Sequence, residues 1–151
     1  MELLGHFTVL LGFFFLMEGV AWFTHKYIMH GFGWILHKSH HEPRKGAFEL
    51  NDLYGFIFAI PSVWLIVAGS AEMDWRFFAG LGIALYGLAY FLVHDVFVHQ
   101  RVKWLKRTQV PYFRAMRKTH HLHHSVHTKE HAQAFGFLFV LPKFYRRYSR
   151  G

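Results

Sequence analysis

Fourteen histidines and no cysteine in 151 residues make imidazole the main chemical resource of this chain. Ten of them fall into four clusters. These are His25 and His30 in HKYIMH, His37, His40 and His41 in HKSHH, His94 and His99 in HDVFVHQ, and His120, His123 and His124 in HHLHH. Neutral imidazole ligates iron or zinc near neutral pH with little proton release. The HxxHH spacing is the informative one. Positions i, i+3 and i+4 share a helix face, which predicts that His37, His40 and His41 converge, as do His120, His123 and His124. The HxxxxH pairs fit less well, because residues five apart on a regular α-helix stand about 140° apart. Either the pair brackets a helix end or the helix carries a local distortion there.

The other four histidines divide. His6 reads as a polar anchor at a membrane interface, and His121 lies off the face of its neighbours. His127 and His131 continue the His120–His124 stripe at four-residue intervals and stay open as ligands if the helix persists. Spacing alone thus allows eight to twelve ligands, too many for one ion and adequate for two. Crowding so many polar rings together without a metal would leave them unsatisfied. Among the few acidic residues, Asp95 adjoins a cluster, and Glu18 lies two turns before His25 on the same face. Glu18 is therefore expected to accept a ligand N–H and fix the ring. Glu49 and Asp52 either do the same or lie in a solvated loop.

The elements that carry these clusters are apolar. The chain is 53% hydrophobic and 20% aromatic, with a mean hydropathy of +0.15, too much apolar surface for a short soluble protein to hide. Leu3–Thr24 would be about 33 Å long as a helix, enough to cross hydrocarbon. It reads as a retained span, since it lacks the basic start and cleavage site of a signal peptide. Leu53–Ala71 is an uncharged second span containing Pro61, and Phe77–Val93 a third. GSAEMD at 69–74 supplies the turn between them. Ala132–Pro142 is apolar but short, and reads as a re-entrant or interfacial piece rather than a fourth crossing. The expectation is one all-α, integral membrane helical domain over residues 1–151, with three or four transmembrane helices and a histidine-rich di-metal site.

Charge orients that arrangement. A formal charge of +8 would suit nucleic acid, but the cations sit in loops beside apolar segments. Residues 25–52 hold four Lys/Arg and residues 94–151 hold twelve, while the turn between the second and third spans holds none. This bias excludes nucleic acid as the favoured partner and places the loops with the ten histidines on the cytoplasmic side. Missing cysteine rules out disulfides, thiolate ligands and cysteine nucleophiles. An HExxH peptidase motif is missing too.

The four clusters, together with MEGVAWFTHKYIMHGFGWILHKSHHEPR at 17–44 and YFLVHDVFVHQR at 90–101, resemble the bacterial β-carotene 3-hydroxylases of the fatty acid hydroxylase superfamily. The resemblance covers nearly the whole chain. It implies ten metal ligands, His25, His30, His37, His40, His41, His94, His99, His120, His123 and His124, holding two non-haem iron ions, with zinc able to occupy the site in isolated protein. It also implies O₂-dependent hydroxylation of β-carotene at C3, giving β-cryptoxanthin and zeaxanthin, and in some members a route to astaxanthin. Electrons would come from a ferredoxin with an NAD(P)H-linked reductase, and the setting would be membrane lipid of a bacterial inner membrane. The basic stretch Arg101–Lys118 could dock such a donor or anionic headgroups. Gly31–Trp34 and Phe135–Phe137 could line a passage for substrate. A related lipid hydroxylase or desaturase, and a divalent-metal transporter, are the alternatives.

Overall fold

The computed structural model describes residues 2–43, 46–102 and 108–149. Among these there are helices and no strands. Helix α1 covers Glu2–Phe23, a short α2 covers Trp34–His37, α3 covers Leu53–Gly69, α4 covers Trp75–Tyr90, α5 covers Pro111–His124 and α6 covers Pro142–Tyr148. Three helical stretches, Glu2–Met29, Leu50–Gly69 and Trp75–Val98, are long and apolar enough to cross a membrane. The three expected spans are therefore present. Ala132–Pro142 is mostly irregular up to the start of α6 and adds no fourth crossing.

These helices make sense only in lipid. On α3, Ile60, Trp64 and Val67 are each about two-thirds exposed (69%, 65% and 67%). Such a face would be costly in water but is ordinary against hydrocarbon. Helix α4 is central and packs on both α1 and α3. Two of its glycines make this possible. A Cβ at Gly80 would lie 2.7 Å from the Ser62 carbonyl of α3, and one at Gly82 would collide with the Leu10 carbonyl of α1. Small residues at such crossings let backbones approach where no hydrophobic force drives helices together. The Ser62 hydroxyl donates to the Gly80 carbonyl at 2.8 Å and pins α3 to α4. Asp74 ends the preceding turn and caps α4 by accepting from the Arg76 N–H at 2.9 Å.

The core joins Met17 and Ala21 of α1 to Ile83 and Tyr86 of α4, and Phe137 enters it from the irregular segment. That segment is thus tucked against the ends of the spans. It lies beside α5, which carries the last histidine cluster.

Candidate metal centre

The misfit of the HxxxxH spacing is resolved by two π-helical turns. Thr24–Met29 prolongs α1 and Phe91–Val98 prolongs α4. In each, the i→i+5 hydrogen bond joins the histidine pair itself: His30 N–H donates to His25 O at 3.1 Å, and His99 N–H to His94 O at 2.9 Å. The wider turn brings residues five apart onto one side, with ring centroids 5.3 Å apart for His25 and His30 and 4.5 Å for His94 and His99.

All ten histidines singled out from the sequence come together, in two groups of five. One holds His25, His30, His37, His41 and His123, the other His40, His94, His99, His120 and His124. Within each group the available nitrogens lie within 4.8 Å of one another. The expectation that each HxxHH triplet converges on one point needs correction. In both triplets the i and i+4 rings share a group while the i+3 ring turns to the other. His37 and His41 stay with His25 and His30, and His40 crosses over. His120 and His124 stay with His94 and His99, and His123 crosses back. Each half of the chain supplies four rings to its own group and one to its neighbour. His6, His121, His127 and His131 belong to neither group. The stripe toward His131 is cut because α5 ends at His124; His127 instead donates from Nδ1 to the His41 carbonyl at 2.8 Å.

The hydrogen bonds fix which nitrogen is free. Nδ1 of His25 faces Phe135 O at 3.0 Å, that of His30 faces Lys129 O at 3.0 Å, and that of His41 faces Val126 O at 2.8 Å. Nδ1 of His123 faces Gln133 O at 2.8 Å, and that of His37 faces Asn51 Oδ1 at 2.6 Å. Carbonyl oxygens only accept, so each Nδ1 carries the proton and each Nε2 a lone pair. Those lone pairs point at one another. Nε2 of His25 and of His41 lie 3.2 Å from Nε2 of His37, and Nε2 of His30 lies 3.1 Å from that of His123. In the second group the corresponding separations are 3.2 Å for His40 and His94 and 2.8 Å for His99 and His120. No proton is left to bridge the first group's pairs. Two imidazoles on one ion at about 2.0–2.1 Å would stand about 2.8–3.4 Å apart, between right-angle and tetrahedral coordination, so the donor sets fit a cation in each group. The buried His124 Nε2 finds no hydrogen-bond partner, which agrees with the same reading.

The acceptors behind the rings differ between the groups. The first group is backed entirely by neutral carbonyl and amide oxygens. In the second, His40 Nδ1 donates to Glu49 Oε2 at 3.0 Å and His94 Nδ1 to Asp95 Oδ1 at 3.2 Å. Arg101 ties these carboxylates together, reaching Asp52 Oδ1 at 2.6 Å, Asp95 Oδ1 at 3.2 Å and Glu49 Oε2 at 3.5 Å. It is therefore not part of an exposed docking patch. Within the expected basic stretch, Lys103, Lys106 and Arg107 lie outside the described residues, and Arg117 lies over the Phe97 ring. The first group is wholly buried, whereas His99 and His124 of the second are partly exposed. Burial pushes the imidazoles outside the spans well down, His41 to about 4, His37 to about 3 and His123 to about 2. At neutral pH these rings are neutral, with Nε2 ready to ligate.

Glu18 does not touch a histidine, contrary to expectation. Its carboxylate accepts the backbone N–H groups of Phe137 at 3.0 Å, Leu138 at 3.1 Å and Phe139 at 3.2 Å, and the Tyr86 hydroxyl at 2.8 Å. It thus anchors the segment whose carbonyls, at Gln133 and Phe135, orient His123 and His25. Sequence reasoning missed Asn51, Arg101 and every carbonyl acceptor. Only the proximity of Asn51 to Glu49 and Asp52 offered a signal.

A model of the family described as fatty acid hydroxylase matches residues 10–142. A β-carotene hydroxylase of Pantoea ananas is 49% identical over 126 residues, covering 83% of this chain and 72% of that protein. One from Paracoccus sp. (strain PC1) is 39% identical over 137 residues, 90% of this chain and 85% of its own length. The chloroplastic β-carotene 3-hydroxylase of Gentiana lutea is 40% identical over 146 residues, 94% of this chain and 45% of its length. No solved structure matches the chain. With its histidines gathered at the ends of membrane-spanning helices, a family model matching residues 10–142 and relatives matching 83–94% of its length, the chain belongs to the fatty acid hydroxylase family.

Proposed function

We propose that this protein hydroxylates the β-ionone rings of β-carotene at C3, giving β-cryptoxanthin and zeaxanthin, with one iron ion held by each group of five histidines. The observation that carries the reading is the convergence of ten imidazoles into two adjacent groups beside an apolar membrane domain, in a chain whose relatives bear the name β-carotene hydroxylase. The balanced reaction takes the ring C–H, O₂, two electrons and two protons to the ring C–OH and water. A pair of ferrous ions held there would supply the activation of O₂ that hydroxylating an unactivated methylene requires and that no amino-acid side chain offers.

The chain's own part is geometry and exclusion. The carbonyl and carboxylate acceptors hold seven of the ten rings with Nε2 forward. Burial of the first group keeps water away, while the partly exposed His99 and His124 give the second group the side from which electrons arrive. The donor is a ferredoxin-like protein coupled to an NAD(P)H-linked reductase. The distribution of Lys and Arg supports a cytoplasmic centre in a bacterial inner membrane.

The test is expression in cells that accumulate β-carotene, beside a His40→Ala/His123→Ala variant that strikes both groups. Pigments are separated by chromatography with mass detection. Hydroxylated carotenoids from the unmodified protein alone are the expected result. Unchanged β-carotene despite iron, O₂ and a working donor would overturn the assignment.

A further inference from the structure

Between α3 and α4 lies a cavity of about 520 Å³, within the range of pockets that enclose much of a small ligand. Its shape follows from the helix crossing. The helices are pinned where Ser62 meets Gly80, and the space opens from there toward the histidines. The floor is Met17 and Ala21 of α1. Its flank is made of small residues, Gly55 and Ala59 from α3 and Ala84 and Gly87 from α4, all of them exposed. A Cβ added at Gly55 or Gly87 would meet nothing within 4 Å. The mouth therefore faces sideways, into hydrocarbon.

At the inner end stand two rings, Tyr90 and Phe137, in edge contact at 4.9 Å, beside the polar side chains of Asn51, Asp52, Asp95 and Arg101. Behind them, Tyr90 stacks on His94 at 4.5 Å and 21°, and Phe137 stacks on His25 at 4.8 Å and 18°. His94 belongs to the second histidine group and His25 to the first. The cavity is thus aimed between the two groups, with a wall one ring thick. Glu18 fixes that wall by accepting the Phe137 N–H. Of the stretches expected to line a passage, only Phe137 lines this cavity. Gly31 and Gly33 instead sit in a tight turn, where a Cβ would collide with Tyr27 O and Tyr54 Oη.

We propose that this cavity is the chamber for one ring end of the carotenoid, entered sideways from the bilayer between α3 and α4, and that Tyr90 and Phe137 select which ring carbon reaches the metal centre. The inference rests on the proposed hydroxylase reading and adds the place and the selector. The occupant follows from the site: an apolar, lipid-facing mouth admits a molecule already dissolved in the membrane, and the inner wall addresses both histidine groups.

The experiment uses the full-length, metal-loaded protein and the series Gly87→Ala, Gly87→Leu and Gly87→Phe. Leu88→Phe, on the lipid side, serves as the control of equal bulk. Turnover of β-carotene, β-carotene retained after detergent washing, and metal content are all measured. Both turnover and retention should fall stepwise with side-chain size, at least tenfold at Gly87→Phe, while metal content stays at two ions and Leu88→Phe behaves as wild type. Gly87→Ala raises helix propensity, so lower turnover in that variant cannot come from a weakened helix. Phe137→Leu, which thins the wall, should release hydroxyl at neighbouring ring carbons to a tenth or more of the C3 product. Wild-type turnover and retention in the metal-loaded Gly87→Leu variant would overturn the chamber, and unaltered regiochemistry in Phe137→Leu would overturn the selector. An unmodified protein that leaves β-carotene untouched would instead defeat the hydroxylase reading itself.

Discussion

The contrast between neutral and anionic acceptors behind the two histidine groups predicts two unequal metal sites. Replacing Glu49 with Gln and Asp95 with Asn keeps an oxygen facing His40 and His94 but removes both charges. A hydrogen bond to a charged group contributes about 1.5–3 kcal/mol and a neutral one about 0.5–1.5. Each exchange therefore costs about 1–1.5 kcal/mol, and the pair about 2–3 kcal/mol. That is roughly 30- to 150-fold in affinity, in line with the roughly 10- to 100-fold effect of single outer contacts on metal binding. Cobalt titration of the metal-free protein in detergent, followed by visible absorption and chelator competition, resolves the two classes of site. The double variant should weaken one class by that factor and leave the other alone. Asn51→Asp, behind His37, should act oppositely and tighten the other class by about five- to tenfold. If both classes weaken together, or neither moves, the acceptor contrast does not govern the ions and the reasoning fails.

The exchange of rings between halves makes His40→Ala and His123→Ala complementary. Each should lose the ion of the group opposite to most of its own motif, read as loss of different cobalt bands. Glu18→Ala leaves three backbone N–H groups and the Tyr86 hydroxyl without an acceptor, at about 1–3 kcal/mol apiece. That sum rivals the 5–15 kcal/mol of a typical fold, so little folded protein should be recovered, whereas Tyr86→Phe should unfold only a few degrees earlier in a thermal scan. The lowered values of His37, His41 and His123 mean that the unfolded chain binds more protons below pH 6.5. The metal-free protein should therefore be most stable above pH 6.5. It should lose about 1.4 kcal/mol per pH unit for each of these rings as pH falls toward their folded values. Denaturant midpoints that stay flat from pH 7 to 4.5 would contradict this.

Much of this centre could be read from residue types. Ten histidines clustered outside three apolar segments pointed to a membrane helical domain with a shared metal site, and the structure assembles those same ten. Their division into two groups was not legible, because i, i+3 and i+4 lie on one face of a helix whichever of two neighbouring points each ring addresses. The HxxxxH pairs contradicted α-geometry, and the contradiction marked the π-turns. The error over Glu18 has a different origin, since α1 is regular from Glu18 to Phe23. The carboxylate is instead taken up by the 137–139 backbone N–H groups and the Tyr86 hydroxyl, donors that come from elsewhere in the chain. Carbonyls such as Phe135 O leave no trace at all, since every residue carries one.

The crossing-over of His40 and His123 also sets a timetable for metal capture during synthesis. When His41 leaves the ribosome, the first group has four of its rings, but the fifth lies roughly 80 residues further on. At about 5–20 residues per second that interval is roughly 4–16 seconds. Throughout it the nascent chain offers an open, partial ligand set, from which a wrongly chosen ion exchanges freely. Ribosome-bound chains halted before Pro111 should accordingly hold no chelator-resistant metal, and finished chains should. Selection among competing ions is thereby deferred to the moment α5 docks, when the last-made rings close both groups.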